Sequence, residues 1–437
     1  MLRAVNNRFF SARTATAVIV ANMIGTGVFT SLGFQLNDLS SGPVLLSLWL
    51  IGGLVALCGA LCYAELGAAL PRSGGEYHFV GRIFHPSLGF ASGWISATVG
   101  FAAPTALAAV TCASYVHAVH AGVAQRPLAI GIIVALTLVH ATSRRQSGAV
   151  QTLLTLIKLG VILAFCIAAA VRVDSTAWAP LAPGAFDPRQ MSSGAFAVAL
   201  IYVSYAYSGW NAATYVFAEL EKPQKQLPAV LIAGTCIVTL LYVGLNAAFL
   251  ISAPTDALRG QLEVGYIAAQ SIFGDRTADA IGLTLAALLT STVSAMLLAA
   301  PRVLQVIGQD YAVFARLARE NSHGVPATAI YVQGATAVIF VVSGSFETIL
   351  LFSGFVLALN TLVTVLGLII LRVLEPGLAR PFRVPLYPLP PLVFLALTCW
   401  TLVFVFLDNP IRSALGLALV AMGCMVWSVA QRFEEKS

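Results

Sequence analysis

The chain has 437 residues, 59% of them hydrophobic and 10% charged, with a formal charge of +6 and a mean hydropathy of +0.88. Soluble domains carry about 25% charged residues, so this balance excludes an aqueous globular enzyme, a disordered chain and a nucleic-acid-binding module. A hydrocarbon core about 30 Å thick takes roughly 20 apolar residues per helical crossing, and the apolar runs leave room for about a dozen crossings.

In chain order, apolar runs and their polar breaks predict helices 1 to 12 near 13–36, 42–70, 86–120, 127–142, 148–171, 192–219, 227–252, 277–308, 326–343, 346–372, 386–407 and 410–431. The basic start runs into the first apolar stretch without a cleavage-site pattern, so the expectation is a first membrane helix and not a removed signal. The connection 253–276 contains LEVGYIAAQSIFG, the pattern of a short amphipathic external helix, and 309–325 is a second loop long enough to hold structure. The remaining connections are expected to be tight, within one domain. Arg126, Arg172, Arg189, Arg259, Arg276 and Arg412 fall singly on one side, and Lys158 lies inside helix 5. The rest of the 24 Lys/Arg, with clusters at Arg144-Arg145, Lys222/Lys225 and Arg380/Arg383, fall on the other side. The positive-inside rule makes that side, and both termini, cytoplasmic. All seven cysteines lie in apolar runs and read as small packing residues, not as disulfides.

Two helices carry awkward punctuation near their middles: Ile24-Gly25-Thr26-Gly27 in helix 1 and Tyr205-Ala206-Tyr207-Ser208-Gly209-Trp210-Asn211 in helix 6. Glycine costs about 1 kcal/mol against alanine in a helix interior, and unwound backbone at membrane depth needs a cavity to face. Either glycine alone is equally a helix-packing residue. Gly25 and Ser208, however, are 183 residues apart, and each break lies in the first helix of a five-helix group. Five is odd, so successive groups insert with opposite orientation. Paired breaks in an inverted repeat are the sequence pointer to a transporter's midplane site.

At these residues the chain resembles the amino acid-polyamine-organocation (APC) superfamily, and within it the L-type amino acid transporter-like branch. Besides IGTGVF (24–29) and YAYSGWN (205–211), the resemblance rests on YAELGAALPRSGGEYHFV (63–80), Lys158, and RPFRVPLYPLPP (380–391). It implies an all-α membrane fold of twelve helices. Ten form a leucine-transporter-like 5+5 inverted repeat (1–171 and 192–372) with helices 1 and 6 broken, and two more are appended (386–431). It also implies amino acids as substrates. The loop after helix 8, IGQDYAVFARLA, departs from the usual pattern around Asp310.

A site for a zwitterion replaces the water bound to a carboxylate and to an ammonium. Amide N–H groups opening the second half of helix 1 suit the carboxylate, which assigns Thr26, Gly27 and Val28 beside Gly25. Carbonyls ending the first half-helices suit the ammonium, which assigns Ile24, Tyr205, Ala206 and Ser208. Asn211 is placed to cap or to touch substrate. The hydroxymethyl of Ser208, where the family pattern has a small residue, favours small or medium neutral amino acids. By resemblance Tyr205 is an aromatic lid on the external side, against the alternative of ordinary packing; Phe101 is a candidate lining residue among 24 phenylalanines.

Lys158 sits about ten residues from either end of helix 5, too deep to snorkel easily, and an intramembrane ammonium is a functional hypothesis by default. The resemblance places it where sodium-coupled relatives hold a cation between helices 1, 5 and 8. Its nitrogen then stands in for sodium, held by carbonyls of Ile24 or Gly25 and hydroxyls of Ser291, Thr292 or Ser294. A lysine that changes charge implies proton symport; a permanently charged one implies an exchanger or facilitator. Glu65, Arg72 and Glu76 lie at the cytoplasmic end of helix 2 and in the following loop, and Glu76 with Arg302 is a candidate cytoplasmic gate.

The six histidines show no metal-ligand spacing, and no cofactor or metal is expected. No HExxH, GxSxG or intramembrane aspartate pair suggests an enzyme, and nothing resembles a channel filter. The loop HAGVAQRP between helices 3 and 4 lacks the cysteine through which animal relatives join a single-span partner. The expectation is a carrier in the plasma (bacterial inner) membrane with no disulfide-linked subunit. With no acidic residue near either break, a zwitterionic substrate is favoured over a cationic amino acid or polyamine.

Overall fold

The computed structural model describes residues 12–72, 74–142, 148–211, 214 and 223–434, and among these there is no strand. Helix 1 is two pieces, α1 (Ala12–Met23) and α2 (Gly27–Gln35). Helix 2 is α3 (Gly42–Ala69), and a short helix, α4 (Glu76–Ile83), follows where a plain loop is expected. Helix 3 is α5 (Pro86–Ile95), a π-turn over Ser96–Gly100, and α6 (Ala102–Val119). Helices 4 and 5 are α7 (Gln125–Thr142) and α8 (Gly148–Arg172).

Helix 6 begins as α9 (Gly194–Tyr207). Its predicted second half, apart from Thr214, lies outside the described residues beyond Asn211, as do Arg144, Arg145 and Lys222. Helix 7 is α10 (Pro223–Ser252), and the short helix read from LEVGYIAAQSIFG is α11 (Val264–Phe273). Helix 8 is α12 (Asp275–Ala299) and α13 (Pro301–Asp310), divided at Pro301, which has no N–H to continue the ladder. Helices 9 to 12 are α14 (Ala327–Ser343), α15 (Phe346–Leu374), α16 (Leu389–Asp408) and α17 (Pro410–Glu434).

Among the described residues, ten helices are long and apolar enough to cross a membrane. The connection after α8 corrects the expectation of a tight loop: it carries 3₁₀ turns at Ser175–Leu181 and Pro183–Ala185 and a helical turn at Pro188–Met191.

The distribution of polarity is that of a molecule solvated by hydrocarbon. Val171, Leu240 and Ile411 are each 77% exposed, whereas Glu65, Lys158, Thr30 and Asn246 are buried. Exposed apolar faces on this scale mark a lipid or protein environment. Of the cysteines, Cys236 and Cys399 are exposed, which corrects the packing reading for those two; all seven are free.

Two groups of helices meet at the centre. α3 packs along α10 and α9, with α1 on α10, while α6 packs along α12 and α7, and α14 closes on α7 and α6. At the end of α3 a fully buried carboxylate ties the chain together. Glu65 accepts from Arg372 Nε (2.8 Å) and Nη2, pairs with Arg380 (3.4 Å), and accepts from the Val384 backbone N–H (2.7 Å). The Arg372 guanidinium also lies 3.7 Å from the centre of the Tyr387 ring. The RPFRVP segment is thereby folded back onto helix 2.

Candidate functional site

Both breaks face one cavity, and they touch. α1 stops at Met23, and Ile24-Gly25-Thr26 lie between the two halves of helix 1. The first amides of α2 are ones that no turn of α2 can pair. In helix 6, Ser208 leaves helical geometry (ψ 155°) and Gly209 takes φ +105°, a left-handed conformation that L side chains rarely adopt. A Cβ on Gly209 would stand 2.8 Å from the Asn22 carbonyl oxygen, and one on Gly27 would stand 2.5 Å from the Ala206 Cβ. Each break therefore needs a glycine so that the other can approach.

Tyr242, on α10, joins the two breaks. Its hydroxyl lies 2.6 Å from the Met23 carbonyl oxygen and 3.0 Å from that of Ala206, so one O–H has an acceptor on each broken helix. Sequence reading missed it, because one tyrosine in an apolar helix carries no pattern.

The cavity has a volume of about 130 Å³, several times the roughly 10–15 Å³ that one ordered water needs. Of the predicted residues, Gly25, Thr26, Gly27, Tyr205, Ala206, Ser208, Asn211, Phe101, Glu76 and Thr292 line it. Ile24 and Val28 are fully buried behind the wall. The Ile24 carbonyl is directed to Lys158, whose Nζ donates to it at 2.9 Å and to Thr292 Oγ1 at 3.0 Å. Ser294 Oγ lies 2.9 Å from His140 Nε2, and the Ser291 hydroxyl is buried with no partner among the described residues. The carbonyls ending α9 already have internal donors: Tyr205 accepts from the Ser208 N–H (2.9 Å) and Ala206 from Tyr242. A carbonyl has two lone pairs, so each retains capacity for a ligand.

Tyr205 is buried, and its hydroxyl has no partner among the described residues. It packs in an apolar cluster with Tyr202 and Phe346 at one end of the cavity. There Phe34 stacks on Phe346 at 5.7 Å, Tyr202 donates to Glu347 (3.1 Å), and the Gly260 N–H donates to the Gly33 carbonyl (2.8 Å).

At the opposite end of the cavity Glu76 accepts from Tyr63 (3.0 Å) and from Asn211 Nδ2 (2.6 Å). That corrects the reading that no acidic residue stands near a break: folding brings Glu76 onto the helix 6 break. Arg302 is exposed on α13. An ion pair of Arg72 with Asp310 (3.2 Å) joins the segment after α3 to the end of α13, and Tyr77 donates to the same carboxylate at 2.5 Å. Burial pushes the Tyr77 phenol up, reinforced by Asp310, and pushes His78 down to about 4, reinforced by Arg72 and Arg82. His78 is therefore neutral across the physiological range. His117 Nδ1 lies 2.8 Å from the Val123 carbonyl oxygen, and among the described residues no cluster suits a metal ion.

The family model for amino acid permeases matches residues 10–430. Among characterised relatives, the chain is 29% identical over 434 residues to the large neutral amino acids transporter small subunit 2 of Oryctolagus cuniculus, covering 97% of this chain and 80% of that one. It is 29% identical over 425 residues to the Asc-type amino acid transporter 1 of Mus musculus (95% and 79%). It is 30% identical over 383 residues to the b(0,+)-type amino acid transporter 1 of Mus musculus (85% and 77%). The chain belongs to the amino acid permease family, with relatives of the L-type branch; it is an integral membrane protein and not an enzyme.

Proposed function

From that membership we propose a secondary transporter of small or medium neutral L-amino acids that works by alternating access. Its helices 1–5 and 6–10 form a 5+5 inverted repeat, and helices 11 and 12 are appended. Substrate carboxylate binds the amides of Thr26, Gly27 and Val28, and substrate ammonium binds the carbonyls of Ile24, which it shares with Lys158, and of Tyr205, Ala206 and Ser208. Tyr205 and Phe101 close over the ligand, and Glu76 with Arg302 gates the cytoplasmic exit, where Glu76 also holds Asn211. The relatives named for neutral amino acids, and the Ser208 hydroxymethyl on the cavity wall, support a neutral substrate.

The observation that carries this reading is Lys158. Its ammonium spans the break of helix 1 and the hydroxyl of Thr292 on helix 8, occupying with a covalent cation the place a bound one would take. Transport is then sodium-independent, by proton symport or by amino acid exchange. A cationic amino acid or polyamine exchanger is the second reading, favoured by one observation: the Glu76 carboxylate lines the cavity. The setting is a plasma (bacterial inner) membrane with both termini cytoplasmic and no disulfide-linked subunit.

Uptake of a labelled amino acid panel into proteoliposomes tests it. Uptake of neutral amino acids, unchanged when choline replaces sodium, is expected; strict sodium dependence, or transport of cations alone, overturns it. Stimulation by an inward proton gradient marks a symporter, and a requirement for internal substrate marks an exchanger.

A further inference from the structure

Helix 3 crosses the cavity with a defect in it. Between α5 and α6 the backbone widens into the π-turn Ser96–Gly100, and Ser96, Gly100, Phe101 and Pro104 face the cavity. The defect has a local cause, since Pro104 has no N–H for the Gly100 carbonyl four residues back. π-Bulges recur at functional sites, and what fixes this one lies on a different helix.

Gln333, on α14, is 1% exposed among apolar neighbours, a costly place for an amide without partners. It has two. With the side-chain amide assigned the orientation its neighbours require, Nε2 donates to the Ala97 carbonyl at 2.9 Å and Oε1 accepts from the Ala102 N–H at 2.7 Å. Ala97 and Ala102 are five residues apart, the pair that a π-turn would bond directly. The glutamine amide thus bridges an i→i−5 pair, its donor on the carbonyl of one residue and its acceptor on the N–H of the other. Its register is set by the next residue, because a Cβ on Gly334 would collide with the side chain of Thr137 on α7. No residue of α14 lines the cavity itself.

We propose that Gln333 is a positioning residue for substrate selection: by holding the helix 3 bulge open it sets where Gly100 and Phe101 stand, and so how large a side chain the cavity admits. The inference rests on the transport reading above. It acts through helix 3 alone, so its signature is a change in selectivity and not merely in yield or stability.

The test uses the full chain in proteoliposomes and neutral amino acids graded in side-chain size. Gln333→Met keeps the length and loses both hydrogen bonds. It should change the uptake ratio of the largest to the smallest accepted substrate about fivefold, mainly through KM, as expected for one or two neutral hydrogen bonds. Gln333→Glu, which retains the acceptor for Ala102, should fall closer to wild type. Val341→Ala, equally buried on the same helix, should lower thermal stability and leave the ratio within about twofold. If the Met variant fails to reach the membrane, Gln333→Asn, one methylene too short, is read in the same way. An unchanged ratio in the folded variant overturns the proposal while leaving the transport reading intact. A wild type that takes up no amino acid overturns both.

Discussion

Two polar links cross the middle of the molecule, and they differ in charge. On one side Lys158 of α8 reaches Thr292 of α12 and continues to the Ile24 carbonyl in the helix 1 break. On the other, Ser92 of α5 donates to Asn360 Oδ1 of α15 at 2.6 Å. Under the proposed repeat the first links helix 5 to helix 8 and the second helix 10 to helix 3, so they hold corresponding places. The neutral link ends in a side chain; the charged one ends on the backbone of a broken helix. The difference teaches that the two breaks are controlled unequally. Tyr242 and close glycine contacts are shared by both breaks; helix 1 alone is held by the lysine ammonium, and helix 6 alone by the Glu76–Asn211 contact.

Four substitutions break or sharpen that contrast. The largest effect is expected for Gly27→Val, whose branched side chain has nowhere to go against Ala206; substrate binding by a protein that still reaches the membrane should vanish, and normal uptake refutes the assignment of the break. Next, Lys158→Ala removes two charge-assisted bonds, each worth about 1.5–3 kcal/mol. Uptake should fall at least about tenfold and its pH dependence should flatten; a profile parallel to wild type excludes the lysine as the coupling group. Tyr242→Phe deletes one hydroxyl hydrogen bonded in a buried site, worth about 1–3 kcal/mol. Several-fold weaker substrate binding, read by isothermal titration, is the expected result. Ser92→Ala should be smallest, within about twofold in uptake. A loss matching that of Lys158→Ala would erase the distinction between the two links. A midpoint between pH 6 and 7 in any of these profiles does not report His78, since its ring titrates near 4.

Much of this was legible in the sequence, for reasons that differ by residue. Helix positions follow from apolar run lengths, and the breaks from glycines where a helix should have none. Lys158 stood out because a charge in LLTLI-K-LGVIL has no bland place to go. What escaped are partners set by packing between distant segments. Tyr242 meets Met23 across 219 residues, and Gln333 reads as one polar residue in an apolar helix until α14 lies against the bulge. Glu76 seemed remote from the helix 6 break because 135 residues separate it from Asn211. The π-turn had one local signal, Pro104, which marks a disturbance without saying what repairs it.

The carboxylate at the end of helix 2 has a consequence for synthesis. Arg372 follows Glu65 by 307 residues, and a ribosome adding about 5–20 residues per second needs roughly 15–60 s to make the intervening chain. Throughout that interval neither arginine that pairs with Glu65 exists, and helix 2 carries an acid whose final partners are still to be made. The last stretch translated before helix 11 therefore completes a contact begun by the second helix, and a chain truncated ahead of Arg372 leaves that acid unanswered.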